Sequence, residues 1–151
     1  MKARIIIALL LLPAFSFCQK HINQTHAAVM ADLKKYKAGS IKPVFTETDS
    51  TITMSVKGGD VKAMDFIYAF DKSGKCNSEK TMANCDSCVN KMLQEIVNNK
   101  KFGWRQINEN QYVSKFEDHL MIELPVNPNE FSYTILRMDW TRASYDLITN
   151  K

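Results

Sequence analysis

One amphipathic helical segment, flanked by segments of alternating residues, constrains the fold more than any other feature of the chain. From about residue 84 to residue 99, apolar residues recur on a single helix face: Val89, Met92, Leu93, Ile96 and Val97. The runs 52–56, 64–70, 120–124 and 131–135 instead place an apolar residue at every second position, which is typical of half-buried strands. A helix with one apolar side needs a sheet to cover, so the chain is predicted to be an α+β protein.

Short polar turns between the alternating runs make the predicted sheet antiparallel. Gly-Gly-Asp at 58–60 joins the first two strands, and the turn 71–75 precedes a third strand from Cys76 to about Met82. Further strands are predicted at 104–107 and 112–116. Because strands joined by tight turns run antiparallel, we predict an antiparallel sheet of about six strands with one long helix packed on one face.

A second helix is predicted at the N-terminal side of the sheet, from about Asn23 to Lys37. Its apolar stripe consists of Ile22, His26, Val29, Leu33 and Tyr36, and Gly39 ends it. His26 lies on this stripe without an acid or thiol at ligand spacing, so we interpret it as a half-buried helix histidine. The tail from residue 141 onward gives no firm prediction.

The first eighteen residues have the three-part layout of a secretory signal peptide. Lys2 and Arg4 precede an apolar run, which ends in a proline and small residues before Gln19. We therefore predict a signal peptide at 1–18 and a single α+β domain at 19–151, exported to the periplasm or secreted. An alternative makes Cys18 the lipid-modified first residue of a lipoprotein structural subunit, although Phe17 occupies a place where such sites carry a small residue.

The charge of the chain argues against nucleic acid as a partner. The formal net charge is +4 for the whole chain and falls to +2 without the two cations of the leader. No later apolar run approaches the about 20 residues that a spanning helix requires. We expect a protein, a peptide or an envelope component as the partner, and no transmembrane segment in the mature chain.

The leader and the rhythm of the later segments resemble a group of known proteins. The leader ends in Ser-Phe-Cys before Gln19, and the stretches "YAFDKSGKCNSEK" and "GWRQINENQYVSKF" alternate short strands with tight turns. In these respects the chain resembles small exported α+β proteins of unknown function from Bacteroidota. The resemblance implies a fold and no activity.

Three cysteines of the predicted domain lie between residues 76 and 88. On a helical wheel Cys85 falls inside the apolar arc and Cys88 on its margin, which suits buried, structural sulfur. Because an exported protein meets an oxidising compartment, we predict one disulfide among Cys76, Cys85 and Cys88 and one buried thiol. The spacing leaves the pairing open, since Cys76 precedes the helix and the other two share its first turn.

The Cys-x-x-Cys pair also permits a thiol–disulfide oxidoreductase. At the first turn of a helix, amide donors and the helix dipole stabilise a thiolate, so Cys85 would attack and Cys88 would resolve. A metal site would need His119 beside Cys76, Cys85 and Cys88, and one pair without a second is a weak signal. We predict no metal and no cofactor.

No sequence signature of known catalysis is present, so the favoured interpretation is a non-enzymatic binding or interaction module. Aromatic residues are frequent along the strands. If one sheet face carries no helix, we expect Tyr68, Trp104, Tyr112 and Tyr133 to line a concave binding surface there, because amphipathic aromatics suit interfaces.

Overall fold

The computed structural model describes residues 20–36, 41–58 and 61–150, with the side chains of 58, 61 and 62 left out. The predicted signal peptide, Cys18, Gly39 and most of the turn 58–60 lie outside this part of the chain. The strands are β1 (Val44–Glu47), β2 (Thr51–Gly58), β3 (Val61–Phe70), β4 (Cys76–Ala83), β5 (Arg105–Asn108), β6 (Gln111–Val113), β7 (Leu120–Glu123) and β8 (Ser132–Arg137). The helices are α1 (His26–Leu33), α2 (Asp86–Val97) and α3 (Arg142–Thr149), with a 3₁₀ turn at Phe116–Asp118.

The strands form one antiparallel sheet in the order β1-β2-β3-β4-β8-β7-β6-β5. The α+β class and the antiparallel pairing are confirmed, and the third strand lies at Cys76–Ala83. The expected count of about six strands is wrong, because the described sheet has eight. The edge strand β1 was missed because it is short and carries no alternating apolar pattern. It has four residues, and all of them except Phe45 are exposed.

Both α1 and α2 pack on the same face of the sheet, and this face holds the core. Residues aligned across the strands, such as Ile52, Tyr68, Glu79, Ile135 and Ile122, point toward the helices. One apolar cluster lies under α1 and another lies under α2. Side chains of Ile22 and Met92 pack against both clusters and make the core continuous.

Local sequence explains where the helices begin and end. Thr25 caps α1 by accepting a hydrogen bond from the Ala28 N–H, so this helix is shorter than the predicted 23–37. Helix α2 begins after Cys85 and ends before Asn98, within the predicted 84–99. Its apolar side, predicted from spacing, is buried at Val89, Leu93 and Ile96. These contacts join α2 to β4, β7 and β8.

The third helix, α3, was not predicted. It begins with a capping box in which the side chains of Thr141 and Ser144 each bond the other's backbone N–H. Its Tyr145 hydroxyl donates to the Ser114 carbonyl oxygen at 2.7 Å. Val113 and Met121 point away from α2 yet are buried. We infer that α3 covers the β5–β7 end of the second sheet face.

Candidate binding site

Cys85 and Cys88 form a disulfide across the first turn of α2, with their Cα atoms 5.3 Å apart. Cys85 is only 5% exposed, and Cys88 is half-buried. This agrees with the helical-wheel prediction, in which Cys85 lay inside the apolar arc and Cys88 on its margin. The Cys85 sulfur is also the N-cap acceptor of α2, with the Cys88 N–H as donor at 3.3 Å.

Cys76 is the buried free thiol, so of the pairings that the sequence left open the structure has Cys85–Cys88. Cys76 opens β4 and Cys85 follows its other end. At about 3.3 Å per residue, the strand separates the two by roughly 23 Å. The Cys76 side chain lies in the core under α1. Burial and the nearby Glu79 carboxylate raise the pKa of its thiol to about 12.

Alkylation tests this placement of Cys76. We expect iodoacetamide at pH 8 to leave Cys76 unmodified in the folded protein and to label it fully in urea, because burial removes both access and thiolate. Peptide mapping of the labelled protein measures the site. The disulfide peptides serve as the internal control and stay unlabelled in urea until a reductant is added. Labelling of Cys76 in the folded protein at the rate of a free thiol would contradict the structure.

The four aromatic residues expected to line an uncovered sheet face do not do so. Tyr68 and Tyr133 are buried in the core on the face that α1 and α2 cover. Trp104 and Tyr112 are partly buried and pack against the cluster under α2. Residues at every second position of a strand point to the same face of the sheet. Tyr68 therefore points into the core together with Phe66 and Phe70. The second sheet face instead carries mostly small or polar side chains, such as Thr53 and Lys80.

The most exposed large apolar side chain described in this chain lies in the connection between β7 and β8. We call residues 124–131 the proline loop, because Pro125 and Pro128 bracket its tip. At that tip Val126 is 87% exposed. Proline fixes φ and lowers the entropy that a loop loses on binding. The sequence indicated a break here and no function.

Hydrogen bonds hold the proline loop at both ends and at its tip. The Leu124 N–H donates to the Asn110 carbonyl oxygen at 2.8 Å, and Glu130 receives hydrogen bonds from Lys80 and Ser132. Within the loop, the Asn127 side chain accepts a bond from the Asn129 N–H at 3.0 Å. The loop is therefore organised before any partner arrives.

Two clefts lie on either side of the proline loop, and Leu124 lines both. The hairpin cleft, about 680 Å³, lies between the loop and the β5–β6 turn at Asn108–Gln111. The helix cleft, about 150 Å³, lies between the loop and the first turns of α2, where Asp86, Val89 and Leu93 form its wall. The loop thus stands as a ridge between two depressions.

The linings of the clefts carry acidic groups and, among the described residues, no lysine, arginine or histidine. Glu109 and Glu123 line the hairpin cleft, and Asp86 and Glu130 line the helix cleft. The hydrogen bond from Lys80, with a second from Ser132, lowers the pKa of Glu130. Glu123 accepts a hydrogen bond from the Gln111 side chain at 3.0 Å. The ridge is apolar at its tip and flanked by negative charge.

A polar cluster around the buried His21, which no sequence motif indicated, lies against α1. The His21 side chain is 0% exposed, and its Nε2 lies 3.0 Å from Asp32 Oδ2. The His21 backbone N–H donates to Glu79 Oε1 at 2.9 Å. Burial lowers the pKa of His21, although the bond to Asp32 acts in the opposite direction. Its partners stand 11 and 58 positions away in sequence, too far for a spacing motif.

No family model, curated protein or solved structure matches the chain. The described residues contain no group of three or more His, Cys, Asp or Glu side chains that could hold a metal ion. Across the same part of the chain, no helix has both the length and the apolar character needed to cross a bilayer.

Proposed function

We propose that the protein is an exported, non-enzymatic binding module that holds a segment of another protein at the proline loop. The observation that carries this proposal is the position of Val126, 87% exposed on a pre-organised ridge between two acidic clefts. Val126 and Leu124 line the hairpin cleft, Leu124 and Leu93 line the helix cleft, and an apolar patch rimmed by polar groups marks a protein interaction site.

The chemistry of the clefts selects the class of partner. A partner with an apolar residue would cover Val126, while a neighbouring lysine or arginine would enter the hairpin cleft beside Glu109 and Glu123. Because hydrogen bonds and two prolines already order the loop, little conformational entropy is lost on binding. An extended segment that combines one basic and one apolar residue fits this site best.

The state of Glu130 favours binding over acid–base catalysis at this site. Hydrogen bonds from Lys80 and Ser132 hold its pKa below the usual value. Near neutral pH this carboxylate is ionised and paired with the Lys80 ammonium at 2.8 Å, so it has no proton to donate as a general acid.

Two observations support export. The leader has the layout of a signal peptide. The Cys85–Cys88 disulfide is a bond that persists in oxidising compartments. Lipid attachment at Cys18 remains the alternative for the N-terminus, and mass spectrometry of the mature protein distinguishes it from simple cleavage.

Peptide selection tests the binding function. We expect a displayed library of random linear peptides, selected on the oxidised protein, to be enriched in sequences that place lysine or arginine next to an apolar residue. Val126→Asp should weaken binding of the selected peptides by at least about tenfold, or about 1.4 kcal/mol, because it removes the apolar contact. Fluorescence anisotropy of labelled peptides measures the loss.

The matched control is Val44→Asp, the same substitution at an exposed valine on the edge strand β1. This variant should bind the selected peptides as tightly as the wild type. Added salt should weaken binding to the wild type, because the cleft carboxylates are exposed to screening. The proposal fails if the enriched peptides carry no excess of basic residues, or if both aspartate variants bind them equally.

A further inference from the structure

The two cysteines of the Cys85–Cys88 disulfide differ in their exposure to solvent. Cys85 is 5% exposed, whereas Cys88 is half-buried on the first turn of α2. Thiol–disulfide exchange requires a thiolate to approach one sulfur directly, so access decides which sulfur is attacked. In this protein Cys88 is the more exposed cysteine of the pair.

The two sulfurs also differ in how well each would carry a negative charge. The Cys85 sulfur accepts the Cys88 N–H at 3.3 Å and lies 3.3 Å from the Ser87 hydroxyl oxygen. It therefore occupies the N-cap position of a helix of 12 residues, where amide donors and the helix dipole favour an anion. Cys85 is thus the better leaving group.

We propose that the Cys85–Cys88 disulfide is a site of thiol–disulfide exchange with a fixed polarity, in which an incoming thiolate attacks the Cys88 sulfur and Cys85 leaves. The reactant class is a small thiol or the dithiol of a partner protein. The inference goes beyond the binding function proposed above and does not depend on it.

The electrons and protons of the exchange balance in two steps. In the first, the incoming thiolate forms a bond to Cys88 Sγ, the Cys85–Cys88 bond breaks, and its electron pair stays on Cys85 Sγ as a thiolate. In the second, another thiolate attacks the incoming sulfur of this mixed disulfide and releases Cys88, which takes up a proton. The protein gains two electrons and the two reactant thiols become a disulfide.

This polarity reverses the roles that the sequence suggested. The motif alone indicated Cys85 as the attacking thiolate and Cys88 as the resolving thiol. Burial shields Cys85 from a bulky reactant, so Cys88 makes the intermolecular bond and Cys85 forms the intramolecular one. Cys76 takes no part, since it is buried at the far end of β4.

Single-cysteine variants test the assignment. In a Cys76→Ser background, Cys85→Ser leaves Cys88 as the remaining thiol of the pair, and Cys88→Ser leaves Cys85. We expect glutathione disulfide to form a mixed disulfide with Cys88 at least about tenfold faster than with Cys85. Peptide mass spectrometry locates the bond, and circular dichroism verifies that each variant is folded. Equal rates, or faster reaction at Cys85, would overturn the proposed polarity.

A second variant tests the leaving group while the disulfide stays intact. Ser87→Ala removes the hydroxyl beside Cys85, so reduction of the oxidised protein by dithiothreitol should slow by roughly two- to tenfold. The control is Ser50→Ala, at an exposed serine in the turn before β2, which should leave the rate unchanged. If Ser87→Ala is reduced as fast as the wild type, the role of Cys85 as the leaving sulfur is refuted.

Discussion

Replacement of Leu33 by alanine is expected to lower the free energy of unfolding by about 2–5 kcal/mol. Leu33 is the last residue of α1 and has no exposed surface, and its side chain lies in the cluster formed with β2 and β3. Truncation removes buried apolar atoms and leaves a cavity that a well-packed sheet fills poorly. Urea unfolding of the oxidised protein, followed by tryptophan fluorescence, measures the change.

The matched control for this prediction is Leu147→Ala in α3. Leu147 is 73% exposed, so the same substitution removes little buried surface and should change the free energy of unfolding by less than about 0.5 kcal/mol. A loss of similar size in both variants would show that the loss does not depend on burial of the leucine side chain. A negligible loss for Leu33→Ala would mean that α1 is not docked on the sheet as described.

The elements that the sequence predicted are those whose burial follows directly from their period. Helix α2 buries Val89, Leu93 and Ile96 on one side, so its apolar spacing and its contacts have the same cause. Strand β3 places Phe66 and Tyr68 on its core face in the same way. The disulfide prediction holds in its coarse form, one bond and one buried thiol, because Cys85 and Cys88 lie three residues apart at the start of α2 while Cys76 lies in the core under α1.

Each missed element either lacks a fully buried apolar face or depends on segments that are distant along the chain. Helix α3 has no fully buried residue, and its start is fixed by the Thr141–Ser144 box. The proline loop gains its clefts from α2 and from the β5–β6 turn, which are distant along the chain. Since a sheet brings such segments together only through its strand order, local patterns could not indicate this site.

The cluster around His21 shows the same limit, and it predicts how stability depends on pH. Asp32, which pairs with Lys20 at 2.7 Å, approaches Nε2 of the buried ring, and Glu79 Oε1 lies 4.0 Å from Nδ1. Tyr68 meets the ring edge-on at 5.2 Å. Burial lowers the pKa of His21. The folded protein therefore keeps this histidine neutral at pH values at which the unfolded chain protonates it.

We expect the free energy of unfolding to be highest above about pH 6.5 and to fall as the pH drops below that value. The unfolded state then binds a proton that the native state excludes. For one proton, the free energy of unfolding changes by at most about 1.4 kcal/mol per pH unit. Below about pH 4 a further loss should set in. The hydrogen bond from Lys20, with that from His21, holds the pKa of Asp32 below its usual value, so acid also protonates the unfolded carboxyl first.

Two histidine variants separate this contribution from the rest of the protein. His21→Gln should be less stable than the wild type at pH 7, yet its stability should change less between pH 7 and pH 5, because it lacks the group that titrates. His119→Asn is the control. His119 has a φ of 52°, a conformation that asparagine also adopts readily, so the fold should tolerate the change and the wild-type pH slope should persist. Urea unfolding at several pH values measures how the free energy of unfolding changes with pH. If this dependence is the same in His21→Gln as in the wild type, His21 is not its cause.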